Sequence, residues 1–189
     1  KYFGADIEII SENSKNIIQL YSGSKLKPLN YKVVGDISSA AFLIVGALIT
    51  QSPELKIFNV GMNPSRTGVL TALKKMGANI KATNQRVECG EPCADLVVRP
   101  SRLKGVELSG DIIPNIIDEI PILSIAAAFA EGDTIIRDAK ELRVKESDRL
   151  QAVSDGSSNI VFGNLIGSNI FNILAVLGGY CIYKRNQYN

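Results

Sequence analysis

The densest run of ionisable side chains is Arg143-Val144-Lys145-Glu146-Ser147-Asp148-Arg149. Lys145 and Arg149 are four residues apart, so at the start of a helix they project from one face. Ser147 can cap such a helix, and Glu146 and Asp148 complement its positive end. Two chemistries fit. One is a solvated, salt-bridged helix start. The other is an anion site, where two cations and the helix N–H groups hold phosphate or carboxylate and Glu146 moves protons between them.

A second candidate is Asp118-Glu119, which interrupts the apolar stretch Ile112–Ile125. Acids here either complement a helix dipole or supply a catalytic base at a domain edge. The third is the tight turn Gly35-Asp36-Ile37-Ser38-Ser39, able to act as a phosphate cradle or a hinge, and Asn63-Pro64-Ser65-Arg66-Thr67-Gly68 likewise starts a helix that binds an anion or is merely capped. The chain of 189 residues has no His. That excludes Ser-His-Asp and Cys-His catalysis and His-ligated metals, and leaves proton transfer to Asp, Glu, Lys, Tyr or Cys. A net charge of +2 gives no field for nucleic acid. Cys89, Cys93 and Cys181 are an odd number without metal-ligand spacing and read as ordinary thiols of a reduced cytoplasm.

Short β-rich runs must position these residues. The expected strands are 17–21, 31–34, 55–60, 79–83, 95–99, 106–108 and 134–138, with helices over 38–50, 65–76, 115–130 and 146–154. Residues 1–6 read as a helix end entering a strand. Ser38 or Ser39 is expected to cap the first helix and Ser65 the second, with Gly77 closing the latter. The first and third helices are apolar nearly all round, which calls for burial. Alternation of strand and helix predicts an α/β domain built from crossover units. Helix, strand and helix over 41–73 recur over 121–153 at an offset of about 80 residues, longer than solenoid repeats, which points to duplicated supersecondary units.

Six segments in register carry a family resemblance: Val34–Phe42, Asn63–Gly68, Lys75–Ala78, Gly90–Asp95, Ile117–Pro121 and Leu142–Leu150. In order and spacing they resemble the enolpyruvyl transferases, specifically the EPSP synthase family, over residues 1–156. The resemblance implies a partial inside-out α/β barrel built from βαβαββ units. Residues 1–34 would close a first lobe and 35–156 form part of a second. It implies transfer of the enolpyruvyl group of phosphoenolpyruvate to the 5-hydroxyl of shikimate 3-phosphate, in the shikimate pathway of aromatic amino-acid synthesis. Asp118 matches the base that contacts the shikimate hydroxyl, and Lys145 a contact to the shikimate phosphate. Glu146 matches the proton-handling carboxylate and Arg149 a phosphoenolpyruvate ligand. The implied partners are those two small molecules, with no metal or organic cofactor, in the cytoplasm.

The chain departs from the family pattern. It has no counterpart of the early Lys-Ser phosphate motif, the Ser-Ala-Gln substrate motif, or the later Arg and Lys that hold phosphoenolpyruvate. Glu141 stands where some members carry Asn. A truncated, inactive fragment is therefore expected.

Residues 156–183 carry no charge and precede Lys184-Arg185. As a helix, residues 160–183 would span about 36 Å, enough to cross a bilayer. Asn164, Ser168 and Asn172 make a polar stripe beside the packing edge Gly163-x-x-x-Gly167. Residues 157–179 resemble the repeat motif of sodium/calcium-type cation exchangers. The expectation for 157–189 is an apolar, exchanger-like helical tail, with membrane contact confined to 157–183. One span cannot build an alternating-access site. The two patterns meet without a linker, as in a chimeric reading frame, and the second candidate function is a membrane protein or a membrane-anchored synthase fragment.

Overall fold

The computed structural model describes residues 2–12, 15–50 and 53–139. The expected helix 146–154 and the tail 157–189 lie outside them. Within them the chain runs β1 (Ile7–Glu12), β2 (Lys15–Leu20), α1 (Ile37–Ile49), β3 (Leu55–Gly61), α2 (Gly68–Lys75), β4 (Asn79–Glu88) and β5 (Glu91–Arg99). Then come β6 (Glu107–Leu108), a 3-10 helix (Gly110–Asn115), α3 (Ile120–Ala128) and β7 (Ile135–Ile136).

The main sheet is three-stranded in the order β3-β5-β4, and β5 is antiparallel to both neighbours. Hence β3 and β4 are parallel to each other across β5, with α2 as their crossover. On the outer side of β3 the chain at Gly35 makes a parallel bridge to Val60. The order from Gly35 to Arg99 is thus a strand remnant, helix, strand, helix and two strands. This mixed α/β unit has the βαβαββ element order, and the alternation alone does not reveal that neighbouring strands are antiparallel. Beyond it, β6 pairs in parallel with β7 across α3, as Gly35 does with Val60 across α1.

The core lies between the sheet and the helices. Ile44, Val45 and Leu48 of α1, Val69 and Leu73 of α2, Leu96 and Val98 of β5, and Ile116 and Leu123 beside or within α3 are almost wholly buried. Alternate residues of β5 supply one apolar face to it, as the two-residue strand period requires. Burial of α1 is one-sided, however: Leu43 stays 57% exposed. The apolar composition of α1 therefore exceeds what this fold covers.

Several boundaries differ from expectation. Residues 115–130 do not form one helix: a 3-10 helix containing Pro114, then turn residues 116–119, precede α3, whose first turn holds Pro121. Proline lacks the N–H that helix interiors need but suits a first turn, so the helix starts there. Residues 31–34 form no strand, and Tyr2–Gly4 make a turn rather than a helix end. Strand β1, missing from the expected set, forms a hairpin with β2 in which Ile9, Ile10, Ile17 and Ile18 remain exposed. Gly77, at φ 91°, closes α2 as expected, its N–H reaching the Lys74 carbonyl. Cys89 lies half-buried at the β4–β5 turn and Cys93 is buried, both as free thiols. No helix of the described residues is long and apolar enough to cross a membrane.

Candidate functional site

Three of the four segments singled out for chemistry converge where α1 and α3 begin. Asp36 takes the N-cap position of α1, with extended backbone at φ −75° and ψ 127°. Its Oδ2 accepts hydrogen bonds from the Ser39 amide at 3.0 Å and the Ser39 Oγ at 3.1 Å. The cap is therefore Asp36 rather than either serine. The helix begins at Ile37, so Asp36 holds the N-cap position and its carboxylate reaches the free N–H of Ser39 in the first turn, while Ser38 takes another role.

That role is a bridge between helices. Ser38 Oγ donates to Oε1 of Glu119, 81 positions further along the chain. It accepts in turn from Nη2 of Arg66 at 3.0 Å, and the same Nη2 lies 3.2 Å from Oδ1 of Asp36. Arg66 is presented by a local turn in which Asn63 Oδ1 accepts from the Ser65 amide and hydroxyl at 3.1 and 2.8 Å. Ser65, expected as a helix cap, is the donor in that turn, and α2 begins three residues later without a side-chain cap. Arg66 and Asp36 are both about half exposed. Such an ion pair contributes only about 0–1 kcal/mol to stability, so its consequence is orientation.

Glu119 is the buried charged residue of the described core, 4% exposed. Burial, foremost, raises its carboxyl above the ordinary range. The Ser38 hydrogen bond opposes this, the Asp118 charge adds to it, Arg66 opposes it, and Asp36 adds to it. Asp118, one residue earlier, is exposed on the turn that leads into α3. Consecutive residues of this turn point in opposite directions. Glu119 is buried and Asp118 exposed.

The turn is held from a further side. A Cβ built on Gly68 would come within 2.5 Å of the Asn115 carbonyl oxygen and 2.8 Å of Ile116 Cγ2. Only glycine lets the start of α2 approach this backbone so closely. Backbone bonds from Glu119 N to Ile116 O and from Leu123 N to Glu119 O, each 2.9 Å, complete the frame.

A second polar cluster crosses the sheet. Both β3 and β4 bulge opposite the middle of β5, between Ile57 and Val60 and between Thr83 and Arg86. Asn59 and Asn84 adopt positive φ there, 57° and 49°. Asp95 accepts from the Asn59 amide and Asn84 Nδ2, both at 2.9 Å, and from Arg86 Nη1 at 3.3 Å. Arg86 continues to Glu88 at 3.0 Å, and Glu88 pairs with Lys32 at 3.0 Å. The Asn59 amide and then Asn84 hold the Asp95 carboxyl below its ordinary range. No periodicity in the sequence announces these bulges, and Asn59, Asn84 and Arg86 escape a reading based on local pattern. They serve the sheet rather than the turn that carries Asp118.

Of the expected site residues, Asp118 is described, while Lys145, Glu146 and Arg149 lie outside the described residues. In the sequence Glu119 stands only as the companion of Asp118, and Ser38 and Arg66 belong to general helix-start motifs. Their connection depends on contacts between distant segments. Among the described residues no group of three acidic or cysteine side chains is close enough to hold a metal ion.

Comparison with known proteins supplies the family. Over 154 residues the chain is 51% identical to the 3-phosphoshikimate 1-carboxyvinyltransferase of Geotalea daltonii, covering 82% of this chain and 35% of that protein. Over 155 residues it is 52% identical to the enzyme of the same name from Desulfitobacterium hafniense, covering 82% and 34%. A solved EPSP synthase from Acinetobacter baumannii superposes with a TM-score of 0.74 at 49% identity, over 82% of this chain and 34% of that one. The chain thus spans about a third of the length of these relatives. The match to the family model for EPSP synthase (3-phosphoshikimate 1-carboxyvinyltransferase) covers residues 1–156, stops before the exchanger-like stretch, and none of these relatives is a transporter. With that match over most of its length, the chain belongs to the EPSP synthase family.

Proposed function

We propose that this chain supplies part of the site of a 3-phosphoshikimate 1-carboxyvinyltransferase acting on shikimate 3-phosphate and phosphoenolpyruvate in the cytoplasm. In the proposed reaction the 5-hydroxyl oxygen of shikimate 3-phosphate bonds to the central carbon of phosphoenolpyruvate. The bond from that carbon to the phosphate oxygen breaks, and inorganic phosphate leaves. Asp118 takes the hydroxyl proton. Glu146 delivers a proton to the methylene carbon and later removes one, so the alkene is restored. Lys145 neutralises the shikimate phosphate and Arg149 holds phosphoenolpyruvate. Cationic side chains suit two polyanionic substrates, and acids in fixed positions suit proton transfer on both of them.

The observation that carries this proposal is the exposed Asp118 on a turn pinned by the buried Glu119 and by Ser38. A base needs a fixed position more than an extreme pKa. The proposed architecture is two lobes with the site between them, residues 1–34 ending one and 35–156 forming part of the other, as a portion of an inside-out barrel. The membrane-protein alternative rests on residues 157–183 alone, and no observation on the described residues favours it.

Titration of the isotopically labelled chain with shikimate 3-phosphate tests the proposal. Saturable binding is expected at a Kd of about 1 mM or weaker, equivalent to about −4 kcal/mol, with shifts at the amides of Asp118 and Lys145. Phosphate release with both substrates is expected to stay at background, because the chain spans a third of its relatives' length. Shifts that never saturate, or that spare Asp118, overturn the proposal.

A further inference from the structure

We infer that Glu119 is a positioning residue for Asp118, with Ser38 as its anchor, so that the start of α1 sets where the proposed base stands. The inference rests on the role proposed above for Asp118. The anchoring itself is a matter of geometry, independent of any substrate.

Glu119 and Asp118 are adjacent, so a fixed Glu119 side chain leaves Asp118 little backbone freedom. The buried carboxylate has one hydrogen-bond donor of its own among the described contacts, Ser38 Oγ. Ser38 is held by Arg66, and Arg66 by Asp36, the residue that caps α1. The chain Asp36–Arg66–Ser38–Glu119 therefore ties the first turn of α1, the lead into α2 and the first turn of α3 into one unit. Gly68 adds the backbone approach that closes the other side of the turn.

A carboxyl group in the core, in a segment whose Ile116 and Ile120 are also buried, brings no hydrophobic gain. Its burial is costly unless hydrogen bonds satisfy it. A merely structural helix start would be served better by a Ser, Thr or Asn cap, and Glu119 makes no side-chain cap bond to α3. What its side chain does instead is reach another helix. Asp36 and Asp118 push its charge up in energy, and Ser38 and Arg66 hold it in place. The geometry is that of a strut between helices.

The test measures backbone order at residue 118 in the full chain by relaxation of labelled amides. Ser38→Ala and Glu119→Ala are expected to lower the Asp118 order parameter from about 0.85 towards 0.6. Glu119→Gln keeps an acceptor oxygen for Ser38 and is expected to restore the rigid value. Leu96→Ala, a core change in β5, should lower stability and leave Asp118 ordered. Shikimate 3-phosphate binding then weakens about tenfold in Ser38→Ala and Glu119→Ala, and little in Glu119→Gln. Unchanged order at Asp118 in both alanine variants overturns the inference, as does an equal loss of order in Leu96→Ala. If Glu119→Ala does not fold, the Ser38→Ala and Glu119→Gln pair decides it. Failure of the unaltered chain to bind shikimate 3-phosphate overturns the proposed function instead, and the order parameters still decide the anchoring.

Discussion

Ser38 Oγ donates its hydrogen bond to Glu119 Oε1 across 81 residues of sequence, joining the first turn of α1 to the residue that opens α3. The bond converts two separate helix starts into one surface from which Asp118 projects. Ser38→Ala leaves the buried carboxylate without that donor and is expected to cost about 1–3 kcal/mol. Urea unfolding should show a lower midpoint with an unchanged slope, since the surface exposed on unfolding stays the same.

Glu119 also fixes a pH dependence. Its folded pKa stands above the ordinary 4.5 through burial, with Asp118 and Asp36 adding to the shift and Ser38 and Arg66 opposing it. Between the unfolded and folded values the native chain keeps a proton that the unfolded chain has lost. Stability from this group therefore falls as pH rises from about 4.5 through the folded value, then levels off. In Glu119→Gln that decline disappears. Urea midpoints of the two proteins compared from pH 4.5 to 8 should diverge in favour of the variant, until the divergence reaches a plateau.

Gly68→Ala tests the close approach of α2 to the turn. Its methyl group would meet the backbone carbonyl of Asn115 at 2.5 Å, and a backbone atom cannot swing aside as a side-chain tip can. The expected loss is about 1–3 kcal/mol, the usual range for overpacking. It should come with a shift of the Asp118 amide resonance, because residues 115–119 must move. An alanine as stable as glycine here would mean the approach is looser than these distances.

Asp95 makes the opposite acid prediction. The Asn59 amide, Asn84 and Arg86 hold its carboxyl below the ordinary 3.8, and Arg86 and Lys32 do the same for Glu88. Stability from these groups is present above their unfolded values and is lost as pH falls through the lowered folded ones. Asp95→Asn should lower the thermal midpoint at pH 7 and flatten the acid limb below pH 4. A variant with the same acid limb as the parent would show that the bulge network carries no linkage.

Much of the fold was legible because it is written in neighbours. The β-branched runs at 55–60, 79–83 and 95–99 lie within β3, β4 and β5, and the apolar stretch from Ser38 lies within α1. Gly77 marks a helix end because few other residues tolerate φ near 91°. Strand β1 is missing from the expected set because its apolar–polar alternation stops at the consecutive Ile9 and Ile10, and its exposed residues face no core that would fix a pattern. The third helix is shorter than the expected 115–130 because apolar composition continues through the turn before Pro121, where the proline ring favours a helix start over a helix interior.

By itself the sequence determined which residue types were present, the absence of histidine chemistry, the family, and Asp118 as the residue to watch. It could do so because composition, spacing and local propensity act over a few residues and survive as pattern. Only the tertiary structure decided that β5 runs antiparallel between β3 and β4, that Asp36 rather than a serine caps α1, and that Glu119 turns inward to Ser38. Each of these is a contact between segments far apart in the chain. Burial selects such contacts from many that the same local pattern permits, so no window of the sequence contains them.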